Sequence, residues 1–276
     1  MATESKSQEL YFQPNSQLAA LGFSQHLPSA QLKPWVQQYW TIQVPQQLDS
    51  TQPHPQYPDG GSNLTFEFFP NQLPAVYFQY SQKLGQSSFI AGQRLLSVRF
   101  LATGAFQLLG ISPAELTTTQ LDLRLCNLTG LNWLLEQLAS SNELRIQLTA
   151  VECWLLHLAE RIISHTSLVQ KSLPLLKQPA ADLQHLYDQV PKSRRQFERL
   201  FKQETGLSPA QLQLLFKVKL ARFLISKNPL SDLASVAQQA GFYDQAHLHQ
   251  HFVRITGQTP GQYKKRKMSQ LSNSAG

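Results

Sequence analysis

Between Ser231 and Phe252 the chain gathers hydrogen-bonding side chains at a spacing that suits one face of a helix: Gln245, His247, His249, Gln250 and His251. Leu248 and Phe252 stand four apart among them and would form the buried side. Amides and imidazoles both donate and accept, which is what reading base edges in a major groove requires. Asp244 is a good N-cap for this helix. Ahead of it, Leu233, Val236, Ala237 and Ala240 give a shorter helix an apolar stripe, and Gly241 supplies the reversal between the two. A helix, a glycine-containing turn and a second helix make up the helix-turn-helix plan.

The same device stands about fifty residues upstream. Asp182 to Val190 is a short apolar-faced segment, and Pro191-Lys192 turns the chain. Ser193 can then cap a helix running from Arg194 to about Glu204. Phe197, Leu200 and Phe201 would point inward, leaving Arg194, Arg195, Gln196, Glu198 and Arg199 outward. Gly206-Leu-Ser-Pro209 follows this helix as Gly257-Gln-Thr-Pro260 follows the later one, so the arrangement reads as an internal repeat. Pro209 to about Ser226 would be a long amphipathic helix holding the two units together.

On these residues, together with Ala221, Phe242 and Tyr263, the segment from about Ser167 to Lys267 resembles the DNA-binding domain of the AraC/XylS family of bacterial transcription regulators. The resemblance implies helix-turn-helix units at 182–204 and 232–255, whose second helices enter successive major grooves. It implies DNA contacts from Ser193, Arg194, Arg195, Gln196 and Arg199 in the first unit, and from Asp244, Gln245, Ala246, His247, His249 and Gln250 in the second. Lys217 stands where the family usually has arginine in the linker helix, keeping the charge. Gln250 stands where arginine is common, exchanging a guanine or phosphate contact for one suited to adenine. Double-stranded DNA is the implied partner, with RNA polymerase if the chain activates.

Charge agrees independently. Residues 167–276 hold 16 Lys and Arg against 6 Asp and Glu, whereas the rest hold 8 against 11. The net +7 of the chain therefore comes from the segment expected to meet a polyanion. Lys264-Lys-Arg-Lys267 would touch phosphates or be solvated. His247 and His251 lie four apart, as metal ligands can, but nothing nearby supplies a third ligand, so DNA contact or solvation is the better reading. His157 and His165 read as partly buried or capping.

The first half is of another kind. Tyr39–Val44, Leu64–Phe69, Val76–Tyr80 and Leu95–Phe100 are short runs rich in aromatic and β-branched residues, separated by turn signals such as Pro58-Asp59-Gly60-Gly61. They predict a barrel or sandwich. Leu131–Leu138 and Leu144 to about His165 then change to helical spacing, with Leu148, Val151, Leu155, Leu158 and Ile162 on one stripe. The expected fold is α+β: a β-rich barrel or sandwich with flanking helices over 10–165, a short linker near 166–172, and an all-α domain over 166–268. Pro34-Trp-Val, Tyr39-Trp40, Tyr57-Pro-Asp-Gly60, Ile90-Ala-Gly92 and Val98-Arg-Phe100 resemble an uncharacterised N-terminal domain found on many AraC-type regulators. By analogy it would sense a small molecule or form a homodimer.

Tyr57, Asp59, Arg94 and Arg99 are candidate pocket residues, since cations in a mostly apolar domain could bind an anionic effector; surface charge, or a salt bridge from the arginines to Glu67 or Asp59, is the simpler reading. His26 and His54 form no His-x-His pair, which argues against a cupin-like metal centre. Cys126 and Cys153 show no metal or disulfide spacing and read as buried structural thiols rather than activated nucleophiles. No catalytic residue, metal site or cofactor is expected, and the chain does not read as an enzyme. With no apolar run long enough to span a membrane and no signal-peptide shape, a cytoplasmic protein is expected. The competing reading is a nonspecific DNA-binding or protein-interaction scaffold whose first domain only dimerises.

Overall fold

The computed structural model describes residues 16–47, 53–116, 120–162 and 166–272. After a helical turn, α1 (Ser16–Ala19), the N-terminal half forms β1 (Ser24–His26), β2 (Val36–Gln43), β3 (His54–Gln56), β4 (Ser62–Phe68), β5 (Ala75–Gln79), β6 (Gly85–Ser87), β7 (Arg94–Phe100) and β8 (Gln120–Asp122). Six strands make one antiparallel sheet in the order β1-β2-β7-β4-β5-β8, and β3 pairs separately with β6. The longer strands are the four runs rich in aromatic and β-branched residues, which fit a half-buried pleated surface.

The sheet stays open rather than closing into the barrel that was one expectation. Alternation puts Leu64, Phe66, Leu96, Val98 and Phe100 on one buried face. Helices cover that face: α2 (Gly104–Leu109), α3 (Leu131–Ser140) and α4 (Leu144–Glu160) bring Leu108, Leu134, Leu138, Val151, Trp154 and Leu155 against it. A sheet whose apolar face is buried under helices needs no closure on itself.

The helix expected to reach about His165 ends at Glu160. His165 lies outside the described residues, as does residue 10, where the first region was expected to begin. The expectation of two buried cysteines is corrected. Cys126 is half-buried at the edge of the core, and Cys153 is exposed because α4 turns Val151, Trp154, Leu155 and Leu158 inward.

The C-terminal half is helical: α5 (Leu168–Leu176), α6 (Leu183–Gln189), α7 (Arg194–Thr205), α8 (Pro209–Lys227), α9 (Leu233–Gln239), α10 (Gln245–Thr256) and α11 (Pro260–Ser272). Most of the expected 166–172 linker belongs to α5. Ser167 caps this helix, accepting from the Gln170 amide at 3.0 Å, and Val169, Leu173 and Leu176 enter a second core. That core also holds Phe197, Phe201, Val236, Leu248, Phe252 and Tyr263. Through it runs α8, with Leu212, Leu215, Val218, Ala221 and Ile225 buried. Among the described residues, no helix is long and apolar enough to cross a membrane.

Candidate nucleic-acid interface

Two helix pairs are set on this second core. In the first, Asp182 caps α6 by accepting from the Gln184 amide at 2.9 Å. A capping box opens α7: the Ser193 hydroxyl accepts from the Gln196 amide at 3.4 Å, and Gln196 Oε1 accepts from the Ser193 amide at 3.1 Å. Phe197 and Phe201, both fully buried, fix the rotation of α7 and leave Arg194, Arg195, Gln196 and Arg199 exposed. These four side chains are not equivalent. Arg194 donates to Glu198 at 2.9 Å and lies over the Tyr187 ring at 4.6 Å, so it is tied to its own unit. The Gln196 carbonyl is engaged in the cap. Arg195 and Arg199 take part in no ion pair among the described residues and project outward.

In the second pair, Asp232 caps α9 through the Ala234 and Ser235 amides, and Gly241 makes the turn at φ 79°. The Asp244 carboxylate accepts from the His247 amide at 2.7 Å to open α10. Leu248 and Phe252 are buried, and Gln245, Ala246, His247, His249 and Gln250 are exposed. His247 is drawn back: its Nδ1 accepts from the Tyr243 amide at 3.4 Å, and its ring lies 4.6 Å from that of His251. His251 itself accepts from Arg254 at Nδ1, 3.0 Å away. Burial first, then Arg254, His247 and Lys217, lower its pKa and favour the neutral imidazole. Gln245, His249 and Gln250 remain as the outward donors and acceptors. Among the described residues, no group of three or more His, Cys, Asp or Glu is arranged to hold a metal.

Two further features escaped the sequence reading. Tyr243 is 93% exposed between the buried Phe242 and the capping Asp244, and the only signal for it was an aromatic with no helical partner to pack on. Lys217 Nζ donates to the Gly241 carbonyl at 2.8 Å, so this linker-helix cation steadies the second turn from within.

The comparisons with known proteins fall on the same two halves. Residues 186–266 match the family described as a helix-turn-helix domain, and residues 24–122 match a domain of unknown function, DUF6597. The C-terminal half carries an AraC-type helix-turn-helix domain. An uncharacterised HTH-type transcriptional regulator of Haemophilus influenzae is 30% identical over 95 residues, covering 34% of this chain and 32% of that protein. The probable transcriptional regulator LumQ of Photobacterium leiognathi is 36% identical over 72 residues, covering 26% and 29%. The RCS-specific HTH-type transcriptional activator RclR of Escherichia coli is 30% identical over 74 residues, covering 27% and 26%. The chain thus spans about a third or less of the length of these relatives. A solved structure of an apo ToxT variant from Vibrio cholerae overlays at a TM-score of 0.40 with 10% identity, over 82% of this chain and 97% of that one.

The four candidate pocket residues are divided by the fold. Arg94 and Arg99 sit five residues apart on β7, so their side chains leave opposite faces of the sheet. Arg94 donates to Asn142 at 2.8 Å and lies over the Phe68 ring at 5.0 Å. Tyr57 and Asp59 instead meet the AraC-type domain, and Arg99 is paired with Asp59. The largely buried Asp59 carboxylate, its side chain 14% exposed, accepts from Arg99 on one oxygen and from Lys219 of α8 on the other, the latter at 2.7 Å. Burial alone would raise its pKa, but Arg99 and then Lys219 overcome this and hold the carboxyl well below the usual carboxylate range. The Tyr57 hydroxyl accepts from Gln258 at 2.8 Å and Arg266 at 3.2 Å, with the Arg222 guanidinium 3.7 Å above its ring. Beside Asp59 lies a cavity of about 20 Å³, bounded also by Phe100, Leu173 and Phe216. Its size suits a single water.

Proposed function

We propose that the chain is a sequence-specific DNA-binding regulator of transcription that reads two successive major-groove segments with α7 and α10. The observation that carries this reading is the pair of capped helices whose buried faces, Phe197 with Phe201 and Leu248 with Phe252, turn Arg195, Arg199, Gln245, His249 and Gln250 outward in the basic half of the chain. Arg195 and Arg199 would reach guanine edges or phosphates, and Gln245, His249 and Gln250 would read the second segment. Ser193 and Asp244 would act chiefly as caps, and Arg194, Gln196 and His247 as reserves already engaged within the protein. The helix-turn-helix relatives named as transcriptional regulators support the same reading. It involves no catalytic step, and it places the protein with DNA in the cytoplasm. The regions 10–165 and 166–268 would be its two domains, the first a sensing or dimerising one.

The test is selection of bound sequences from a random duplex pool, using the intact protein at near-physiological salt. Two recognition blocks about one helical turn, roughly 10 bp, apart are expected. Arg195→Ala should relax the preference at one block only. Recovery of no motif, with affinity that falls steeply with salt for every sequence, would refute specific reading in favour of nonspecific electrostatic binding.

A further inference from the structure

We propose that Tyr57, Tyr80, Gln82 and Leu84 of the N-terminal half are positioning residues for DNA recognition: they hold the turns that leave α7 and α10, and so fix the two reading helices relative to each other. The inference rests on the reading of α7 and α10 given above and names what sets the distance between them.

The last carbonyls of a helix have no partner within it, and they carry the negative end of its dipole. At the end of α7 these groups are met from the other half of the molecule. Tyr80 donates its hydroxyl to the Thr205 carbonyl at 2.7 Å, Gln82 Nε2 donates to the Gly206 carbonyl at 2.8 Å, and Ser112 Oγ donates to the Gln203 carbonyl at 3.0 Å. At the end of α10 the same loop and its neighbour approach the equivalent turn. Leu84 packs on Gly257, and Tyr57 accepts from Gln258, the residue after it. Gly206 and Gly257 both have positive φ, at 74° and 69°. Both also lack room for a side chain on the N-terminal half's account: a Cβ on Gly206 would come 2.7 Å from the Tyr80 hydroxyl, and one on Gly257 would come 2.9 Å from Leu84. Asp59 of the N-terminal half is also bound to Lys219 of α8, the helix between the two units. The contact therefore has three points, one on each unit and one on the helix that joins them.

The direction of the effect follows from what this contact leaves uncovered. Arg195 and Arg199 on α7 and Gln245, His249 and Gln250 on α10 are all exposed with the N-terminal half in place. The contact grips the exit ends of the reading helices and does not occlude their outward faces. Added to the shared core through which α8 runs, it holds the exits of the two reading helices in one arrangement, which suits one separation of the two DNA blocks.

The experiment measures affinity for selected duplexes in which the two blocks are moved apart in single base-pair steps. The intact wild type is compared with a Tyr57→Phe/Gln82→Ala double variant, whose changes remove one hydrogen-bonding group at each turn and keep the Tyr57 ring. The wild type is expected to lose about tenfold or more in affinity when the spacing departs from its optimum, whereas the double variant should lose about threefold or less. Both should bind a duplex carrying one block equally. A double variant whose spacing profile matches that of the wild type would overturn the proposal. If that variant does not unfold cooperatively, Ser112→Ala, which removes one hydroxyl from the first turn, is held to the same criterion. A wild type that selects single-block or no sites would instead overturn the two-helix reading, and the positioning role with it.

Discussion

In the first helix-turn-helix unit, α7 presents Arg195 and Arg199 beside an arginine already paired with Glu198. In the second, α10 presents Gln245, His249 and Gln250 and reaches no arginine before Arg254, which is turned to His251. The frames beneath these faces match closely: an aspartate or serine cap, two buried side chains four apart, and a left-handed glycine at the exit. One scaffold thus carries two chemistries. A guanidinium adds charge to whatever it touches and draws phosphate as well as guanine, whereas an amide or imidazole discriminates chiefly by its donor and acceptor pattern. Affinity and its salt dependence should therefore come mainly from the first unit, and the second should contribute selectivity with little salt dependence.

The frame is the part whose failure would be costliest. Phe201→Ala and Phe252→Ala should each destabilise the protein by about 3–5 kcal/mol in denaturant unfolding, because each removes a ring from a sealed core. A cost below ~1 kcal/mol at either position would break the equivalence of the two frames.

The reading faces come next. Arg195→Ala or Arg199→Ala should remove about 1–3 kcal/mol of discrimination at the first block. Whichever of the two contacts phosphate should also make the slope of log affinity against log salt shallower by about one. Anisotropy titrations over a salt series should show no such change for His249→Ala. An equal change in slope from His249→Ala would mean that the two units do not divide the work as described.

The caps are smaller in effect. Ser193→Ala and Asp244→Ala should each cost about 1 kcal/mol by thermal unfolding. The aspartate should cost more, since its charge also meets the positive end of α10. A larger loss at Ser193 would show that its capping box outweighs that charge.

The smallest difference is in pH. The pKa of His251 is lowered in the folded protein, so the unfolded chain takes up its proton first, at about pH 6.5. The stabilisation is fully present above that pH and is lost as pH falls through it towards the folded value. α7 holds no histidine, so His251→Gln should flatten this acid-side loss while Arg195→Ala or Arg199→Ala leaves it intact. A wild-type stability unchanged between about pH 7 and pH 5 would refute the effect.

Most of the helical frame was legible because its signals are local. Phe197, Phe201, Leu248 and Phe252 stand at helical spacing, and Ser193, Asp244, Gly206 and Gly257 mark the ends with residues suited to caps. The four long strands were legible for a similar reason. β1, β3, β6 and β8 were not: they are three residues each, largely polar, and exist only because a neighbour offers a ladder. Helix α5 was hidden by Pro174 within it, although Val169, Leu173 and Leu176 keep the period. The turn at Pro58-Asp59-Gly60 was legible as a turn, but its partner Lys219 lies 160 residues away, and nothing local announces it. Gln196 and His247 were legible as helix-surface residues, yet not as side chains folded back onto their own caps.

That separation of 160 residues has a consequence during synthesis. At about 5–20 residues per second, Lys219 leaves the ribosome roughly 8–30 s after Asp59. Arg99 follows Asp59 by only 40 residues, so the carboxylate has its first cation early and waits for its second. The nascent N-terminal half must therefore stand with Tyr80, Gln82 and Leu84 uncovered until the last helices arrive. Docking of the two halves therefore cannot be complete before the C-terminal helices have been made.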